Sequence, residues 1–133
     1  MRYMLDTNTC IDLIKRKPPQ ILRRVHSLTV GDVGISTITL AELRYGVARS
    51  QAVERNAQAL DEFLLPLEIA DFDENAASAY GLVRTDLEKA GRPIGPLDTQ
   101  IGAHALSLGN ILVTDYTREF RRINGLKVEN WLR

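Results

Sequence analysis

Apolar positions along this chain switch repeatedly between short continuous runs and helical spacing. Tyr3-Met4-Leu5 is a short apolar run closed by Asp6-Thr7-Asn8, whose side chains suit a helix start. A helix follows through Cys10, Ile11 and Ile14 until Lys15-Arg16-Lys17 and Pro18-Pro19 end it, and Ile21, Leu22 and Val25 mark another. Val33-Gly34-Ile35-Ser36 reads as a second strand, with Ser36 or Thr37 capping a helix to about Arg49. Arg55 to Leu65 is helical in pattern, Leu67–Ala70 is a third strand, and Asp73 or Glu74 opens a long helix to about Ala90. After the loop Gly91-Arg92-Pro93-Ile94-Gly95-Pro96, helix resumes from Leu97 and stops at Gly109. Ile111–Thr114 is a fourth strand, and Val128 with Trp131 marks a short closing one. Strands alternating with helices predict right-handed crossovers and a sheet covered on both faces. The expected fold is α/β: one domain over residues 1–133, a three-layer α/β/α sandwich with a short, mainly parallel central sheet. Such sheets carry their functional crevice at the carboxyl ends of the strands, here Asp6, Ser36/Thr37, Asp71 and Asp115.

Composition narrows the class. At 133 residues, 44% hydrophobic and 26% charged, the chain is long enough to bury a core and too apolar to be disordered. Its single cysteine, Cys10, excludes an intramolecular disulfide, a cysteine zinc site and a CxxC redox motif, and fits a reducing cytoplasm. No apolar run approaches the roughly 18 residues of a membrane span, and the first acid comes too early for a secretory signal. The expected setting is therefore cytoplasmic, with no membrane partner.

Charge adds one feature. Seventeen basic and seventeen acidic residues cancel, but residues 1–24 carry net +4, residues 116–133 net +3 and residues 25–115 net −7. A strongly basic nucleic-acid coat is excluded. An acidic site rimmed by basic ends remains open, provided the fold brings the termini together.

Three acids break an otherwise apolar pattern. Asp6 ends the first strand, where it is either a helix N-cap or a crevice carboxylate. Glu42 has Ile38, Thr39, Tyr45 and Gly46 as its helical neighbours, so it either reaches outward or is compensated by a cation or donors. Asp98 opens the stripe Asp98, Ile101, Gly102, Ala105, Leu106, Gly109, and is otherwise a first-turn acid favoured by the helix dipole. Gathered at one crevice, such carboxylates repel and take up protons unless a hard divalent cation holds them. Oxygen ligands suit Mg²⁺ or Mn²⁺ rather than zinc. His26 and His104 are isolated and read as surface or helix-packing residues, and no phosphate loop, GxGxxG, GxSxG or HExxH motif is present.

Met4-Leu5-Asp6-Thr7-Asn8, Ile38–Gly46, Gly91–Asp98 and Val113-Thr114 with Thr117-Arg118-Glu119-Phe120 together resemble the PIN-domain toxins called VapC. The resemblance runs to the closing Gly125–Trp131. It implies a Mg²⁺- or Mn²⁺-dependent endoribonuclease that inhibits translation, the toxin of a type II toxin–antitoxin pair. Asp6, Glu42 and Asp98 match its acidic metal site, and Thr114 its hydroxyl position. The implied substrate is RNA, in this subgroup the anticodon loop of initiator tRNA. The implied partners are a second copy of the chain and a VapB-type antitoxin, through which alone operator DNA is contacted.

One departure stands out. The polar residue expected two positions after the threonine is Tyr116, while Asp115 directly follows Thr114. Asp115, at the end of the fourth strand, is expected to complete the acidic set ahead of Glu119, which is otherwise a first-turn acid. Candidate RNA contacts are Thr114, Lys15, Arg16, Lys17, Arg118, Arg121 and Arg122, with Tyr45 or Tyr116 available to stack a base. Two rivals are an aspartyl phosphatase, which generally needs a second Asp where Asn8 stands, and a scaffold that binds RNA without cutting it.

Overall fold

The structure, a computed structural model, describes residues 1–132. Its elements start where the sequence supplies caps. After β1 (Tyr3–Leu5), the Asp6 carboxylate accepts from the Thr9 N–H and opens α1 (Thr7–Lys15). Lys17 then turns through the left-handed region, at φ 47°, ahead of the proline pair. Proline at the first position of α2 (Pro19–His26) removes an N–H that the helix would leave unpaired anyway. β2 (Val33–Ser36) passes directly into α3 (Thr37–Ala48), with Ser36 Oγ accepting from Ile38 N–H.

α4 (Val53–Leu64) and β3 (Glu68–Ala70) follow, and Asp73 caps α5 (Glu74–Lys89). α6 (Pro96–Leu108) ends at Gly109, whose φ of +68° is easily reached only without a Cβ. β4 (Ile111–Val113), α7 (Thr117–Phe120) and β5 (Lys127–Glu129) complete the chain. The closing strand takes in Val128 but not Trp131, which packs edge-on against Tyr3 with ring centroids 5.1 Å apart.

The five strands form one sheet in the order β3-β2-β1-β4-β5, and every neighbouring pair is parallel. The chain lays strands outward from β1 to β3, then returns across the sheet to place β4 on the free side of β1. Strand order therefore reverses between β1 and β4. In an open parallel sheet the binding crevice lies at such a reversal, above the carboxyl ends of these two strands.

Side-chain alternation divides the core. Tyr3 and Leu5 face one side with Leu13, Ile21, Ile35 and Leu60. Met4 faces the other with Val83, Leu87, Ile101, Leu112 and Phe120. Burial on both faces is what an all-parallel sheet requires.

α6 departs from the expected single apolar stripe. Ala103 and His104 are as fully buried as Ile101 and Ala105, because α5, the β2–α3 corner and α7 enclose the helix. His104 is accordingly a packing residue: Nδ1 lies 2.8 Å from Ser36 Oγ and the ring meets Phe72 edge-on. Burial holds its pKa below the ordinary histidine value.

Gly34 sits where three strands meet, opposite Met4 on one side and Glu68 on the other. A Cβ there would come within 2.5 Å of the Glu68 backbone carbonyl and would also strike the Met1 side chain. The carbonyl belongs to the sheet ladder and cannot move cheaply. Gly34→Ala should therefore lower the unfolding free energy by about 1–3 kcal/mol, read from the urea midpoint. An unchanged or raised midpoint contradicts this packing.

Candidate metal centre

Asp6 lies at the reversal of strand order and is 1% exposed. Its backbone N–H donates to Val113 O at 3.0 Å, which ties the end of β1 to the end of β4. One carboxylate oxygen accepts from Thr9 N–H at 2.9 Å, and the other accepts from the Thr114 hydroxyl at 2.5 Å. Thr114 Oγ1 in turn accepts from Tyr116 N–H at 2.9 Å, so its proton is directed at Asp6. Burial raises the Asp6 pKa, the Thr114 and Thr9 bonds hold it down, and the net displacement is upward. The two sequence readings of Asp6 are thus compatible: one oxygen caps α1, and the carboxylate still stands in the crevice.

Glu42 is half-buried on α3 and takes a hydrogen bond of 2.7 Å from the Thr7 hydroxyl on α1. The same hydroxyl lies 3.4 Å from Thr39 Oγ1. Glu42 therefore does not swing free into solvent. Thr7 was available in the sequence only as a member of the capping triplet, and nothing in its spacing marks a partner 35 positions away.

Asp98 stands half-buried in the first turn of α6. Its pKa is pushed up to about 6, first by burial and then by the charges of Asp6, Glu42 and Glu119. Asp98 on α6 thus feels acids that come from the end of β1, from α3 and from α7. Among the described residues, Asp6, Glu42 and Asp98 make no ion pair.

The two acids after β4 separate. Asp115 is exposed and its Oδ1 accepts from Asn130 Nδ2 at 3.0 Å, although its charge still reaches Asp6. Glu119 is half-buried on α7 and its charge reaches Asp98. Asp115, expected ahead of Glu119, is the more exposed of the two, and both acids act on the crevice, one through Asp6 and the other through Asp98. Asn130 engages Asp115, whereas Glu119 makes no side-chain hydrogen bond among the described residues. Tyr116, 45% exposed, caps nothing with its side chain.

The candidate RNA contacts also sort by position. Thr114 is 1% exposed, with its hydroxyl engaged by Asp6. Lys15 is exposed beside Glu42 in a cavity of about 230 Å³ that also takes in Arg49 and Asn56. Arg16 and Lys17 are exposed at the end of α1, with Arg16 3.9 Å from Asp12. Arg118 and Arg121 are exposed at α7. Arg122 is committed elsewhere: Nη1 donates to Pro93 O at 3.1 Å and braces the loop that leads to Asp98. Tyr45 is exposed on α3 with the Arg49 guanidinium 5.4 Å from its ring centre.

Among the described residues the donor set consists of carboxylate and hydroxyl oxygens with no ion-paired cation, and the nearby Cys10 thiol is fully buried in the core. That chemistry fits a hard divalent cation. Among the described residues no three acidic, histidine or cysteine side chains close into a cage. Mg²⁺ needs none, because it keeps several waters and takes only one or two carboxylates.

Comparison with known proteins agrees with this geometry. A family model described as PIN domain matches residues 3–126. The tRNA(fMet)-specific endonuclease VapC of Shigella flexneri is 44% identical over 131 residues, covering 98% of each chain. A crystal structure of DNA-bound VapBC from Salmonella typhimurium superposes with a TM-score of 0.93 at 45% identity, covering 98% of each chain. VapBC2 from Rickettsia felis, bound to a DNA fragment from its promoter, gives 0.93 at 42% identity, over 98% of this chain and 99% of that one. A crevice of oxygen ligands at the β1–β4 reversal and near-complete likeness in sequence and backbone lead to one assignment: the chain belongs to the PIN domain family and, within it, to the VapC proteins.

Proposed function

We propose that this protein is a toxic Mg²⁺-dependent endoribonuclease, with Mn²⁺ as an alternative ion, that cuts tRNA and so inhibits translation. The observation that carries the reading is the set of carboxylates without ion pairs at the β1–β4 reversal, where burial first and neighbouring acids second push Asp98 up to about 6. Asp6, Glu42 and Asp98 are the proposed metal ligands, with Glu119 as the fourth acid. The initiator tRNA anticodon loop is the proposed substrate by likeness to the tRNA(fMet)-specific relatives.

A divalent cation, when bound, lowers the pKa of a coordinated water and offsets charge on the scissile phosphate. The protein's own residues prepare that chemistry. Thr114 and Thr9 fix the rotamer of Asp6, and Thr7 fixes Glu42, so both carboxylates are aimed before any ligand arrives. Arg122 holds the Pro93 loop and with it the start of α6 and Asp98. In-line attack of water on the phosphodiester breaks the bond to the 3′ oxygen, leaving a 3′-hydroxyl and a 5′-phosphate. Lys15, Arg16, Arg118 and Arg121, all exposed, are the proposed contacts to neighbouring phosphates.

The same unpaired negative charge suits inhibition. A VapB-type antitoxin that inserts an Arg or Lys among the carboxylates satisfies them and excludes the metal. Likeness to the DNA-bound VapBC structures supports that partner, and a homodimeric toxin that meets DNA only through the antitoxin belongs to the same proposal. Among the described residues no helix is long and apolar enough to cross a membrane. The cytoplasm is the proposed site of action.

Purified protein incubated with total tRNA and Mg²⁺ should cut it, and Asp6→Ala, Glu42→Ala or Asp98→Ala should each slow cleavage at least about 100-fold. Near-wild-type cleavage by any one of them removes that residue from the site. Glu119→Gln should shift the Mg²⁺ dependence of cleavage to higher concentration more than Asp115→Asn does. The opposite ranking restores Asp115 as the fourth ligand.

A pH dependence follows from Asp98. Unfolded, it ionises near 3.8; folded and metal-free, it keeps its proton to about 6. The folded state gains from that proton below 3.8 and loses the gain as pH rises through about 6. Metal-free Asp98→Asn should therefore unfold at higher temperature than wild type at pH 7.5, with the gap closing toward pH 4. Equal unfolding temperatures at both pH values contradict the repulsion.

A further inference from the structure

The two basic ends of the chain, net +4 over residues 1–24 and net +3 over residues 116–133, meet in space. α2 lies beside β5, and Arg24 joins them: its guanidinium is 3.4 Å from Glu129 Oε1 and stands over the rings of Trp131 (5.5 Å) and Tyr3 (5.8 Å). Between α2 and the β5 segment runs an open trough of about 760 Å³, lined by Gln20, Arg23, Arg24, Ser27, Arg121 and Asn130 among others. Its single acid, Glu129, is already occupied by Arg24 and by the Trp131 indole N–H at 3.0 Å. Arg23 and Arg121 are exposed, and among the described residues their guanidinium groups have no ion pair or hydrogen bond. The trough therefore presents two free fork-shaped cations on a braced wall.

It also leads into the carboxylate crevice. Asn130 lines the trough and donates to Asp115, whose charge reaches Asp6. Arg121 is two residues beyond Glu119, so α7 sends an acid to the crevice and a cation to the trough. A chain crossing the crevice meets, on leaving it by this side, guanidinium groups suited to bidentate phosphate contacts.

We propose that this trough is a phosphodiester-backbone site, which holds the RNA strand leading away from the scissile bond through one phosphate at Arg23 and one at Arg121. Arg24, pinned by Glu129 and two aromatic rings, shapes the wall between them. The inference rests on the ribonuclease reading above and adds a substrate-gripping surface outside the carboxylate crevice.

The test uses the Arg23→Gln/Arg121→Gln double variant beside wild type. Both side chains are exposed and unpaired, so the unfolding temperature should not move. With tRNA and Mg²⁺, KM should rise about tenfold with little change in kcat. Binding of intact tRNA, measured without divalent cation, should lose about 1.4 from its log–log salt slope, at about 0.7 per single-strand phosphate contact. An Arg84→Gln/Lys89→Gln variant removes the same charge from the exposed side of α5 and should match wild type in both measurements.

Wild-type KM and salt slope in the Arg23/Arg121 variant overturn the trough while leaving the ribonuclease reading in place. An equal loss in the α5 variant overturns it too, since only net charge is then being read. Loss of antitoxin affinity with RNA binding intact makes the trough a protein-docking face and overturns it as an RNA site. A wild-type protein that cuts no tRNA overturns the ribonuclease reading and this inference together.

Discussion

Everything at the working end of this molecule hangs on one buried carboxylate, Asp6, held between β1 and β4. Removing a carboxylate from water costs several kcal/mol unless donors replace the lost hydration. Thr9 N–H and the Thr114 hydroxyl are those donors, and each comes from an element the carboxylate must organise. The Thr9 bond starts α1 and the Thr114 bond closes the gap between the two central strands. Because strand order reverses at this gap, no helix fills it, and the polar groups on either side stay reachable from outside. The fold's most stringent polar constraint and its crevice are the same place.

Around Asp6 the structure concentrates charge rather than neutralising it. Glu42, Asp98 and Glu119 arrive from α3, α6 and α7, and the only compensation among the described residues is hydroxyl and amide donors. Donors aim a carboxylate without removing its charge. The metal-free protein therefore carries an unfavourable electrostatic arrangement that a hard cation relieves. Destabilisation concentrated at a binding site is the usual sign that stability has been given up for function. Arg23, Arg24 and Arg121 lie outside this cluster, along the trough between α2 and β5.

Much of this was legible in the chain. Caps at Asp6, Ser36 and Asp73, the Gly91–Pro96 loop and Gly109 placed nearly every element, because each rests on local backbone chemistry. The crevice acids were legible because they interrupt apolar patterns. What escaped was long-range. Thr7 and Glu42 are 35 residues apart, and Asp6 and Thr114 are 108 apart, so their hydrogen bonds have no sequence period. Burial of the middle of α6 on every side, residues 101–105, escaped because small residues such as Ala103 read equally well as exposed helix formers. Ranking Asp115 against Glu119 had only strand position to go on, because the Asn130 contact and the half-burial of Glu119 are set by tertiary packing.

The central claim is that Asp6 and its neighbours form a strained anionic site relieved by a divalent cation. Thermal unfolding of wild type and Asp6→Asn, each with and without millimolar Mg²⁺, tests it most directly. A ligand that binds only the folded state raises the midpoint by mass action, so at 100 times its dissociation constant it should add about 2.7 kcal/mol. The account predicts a clear rise for wild type and none for Asp6→Asn. A wild-type midpoint indifferent to Mg²⁺ and Mn²⁺, or an equal rise in both proteins, would contradict it.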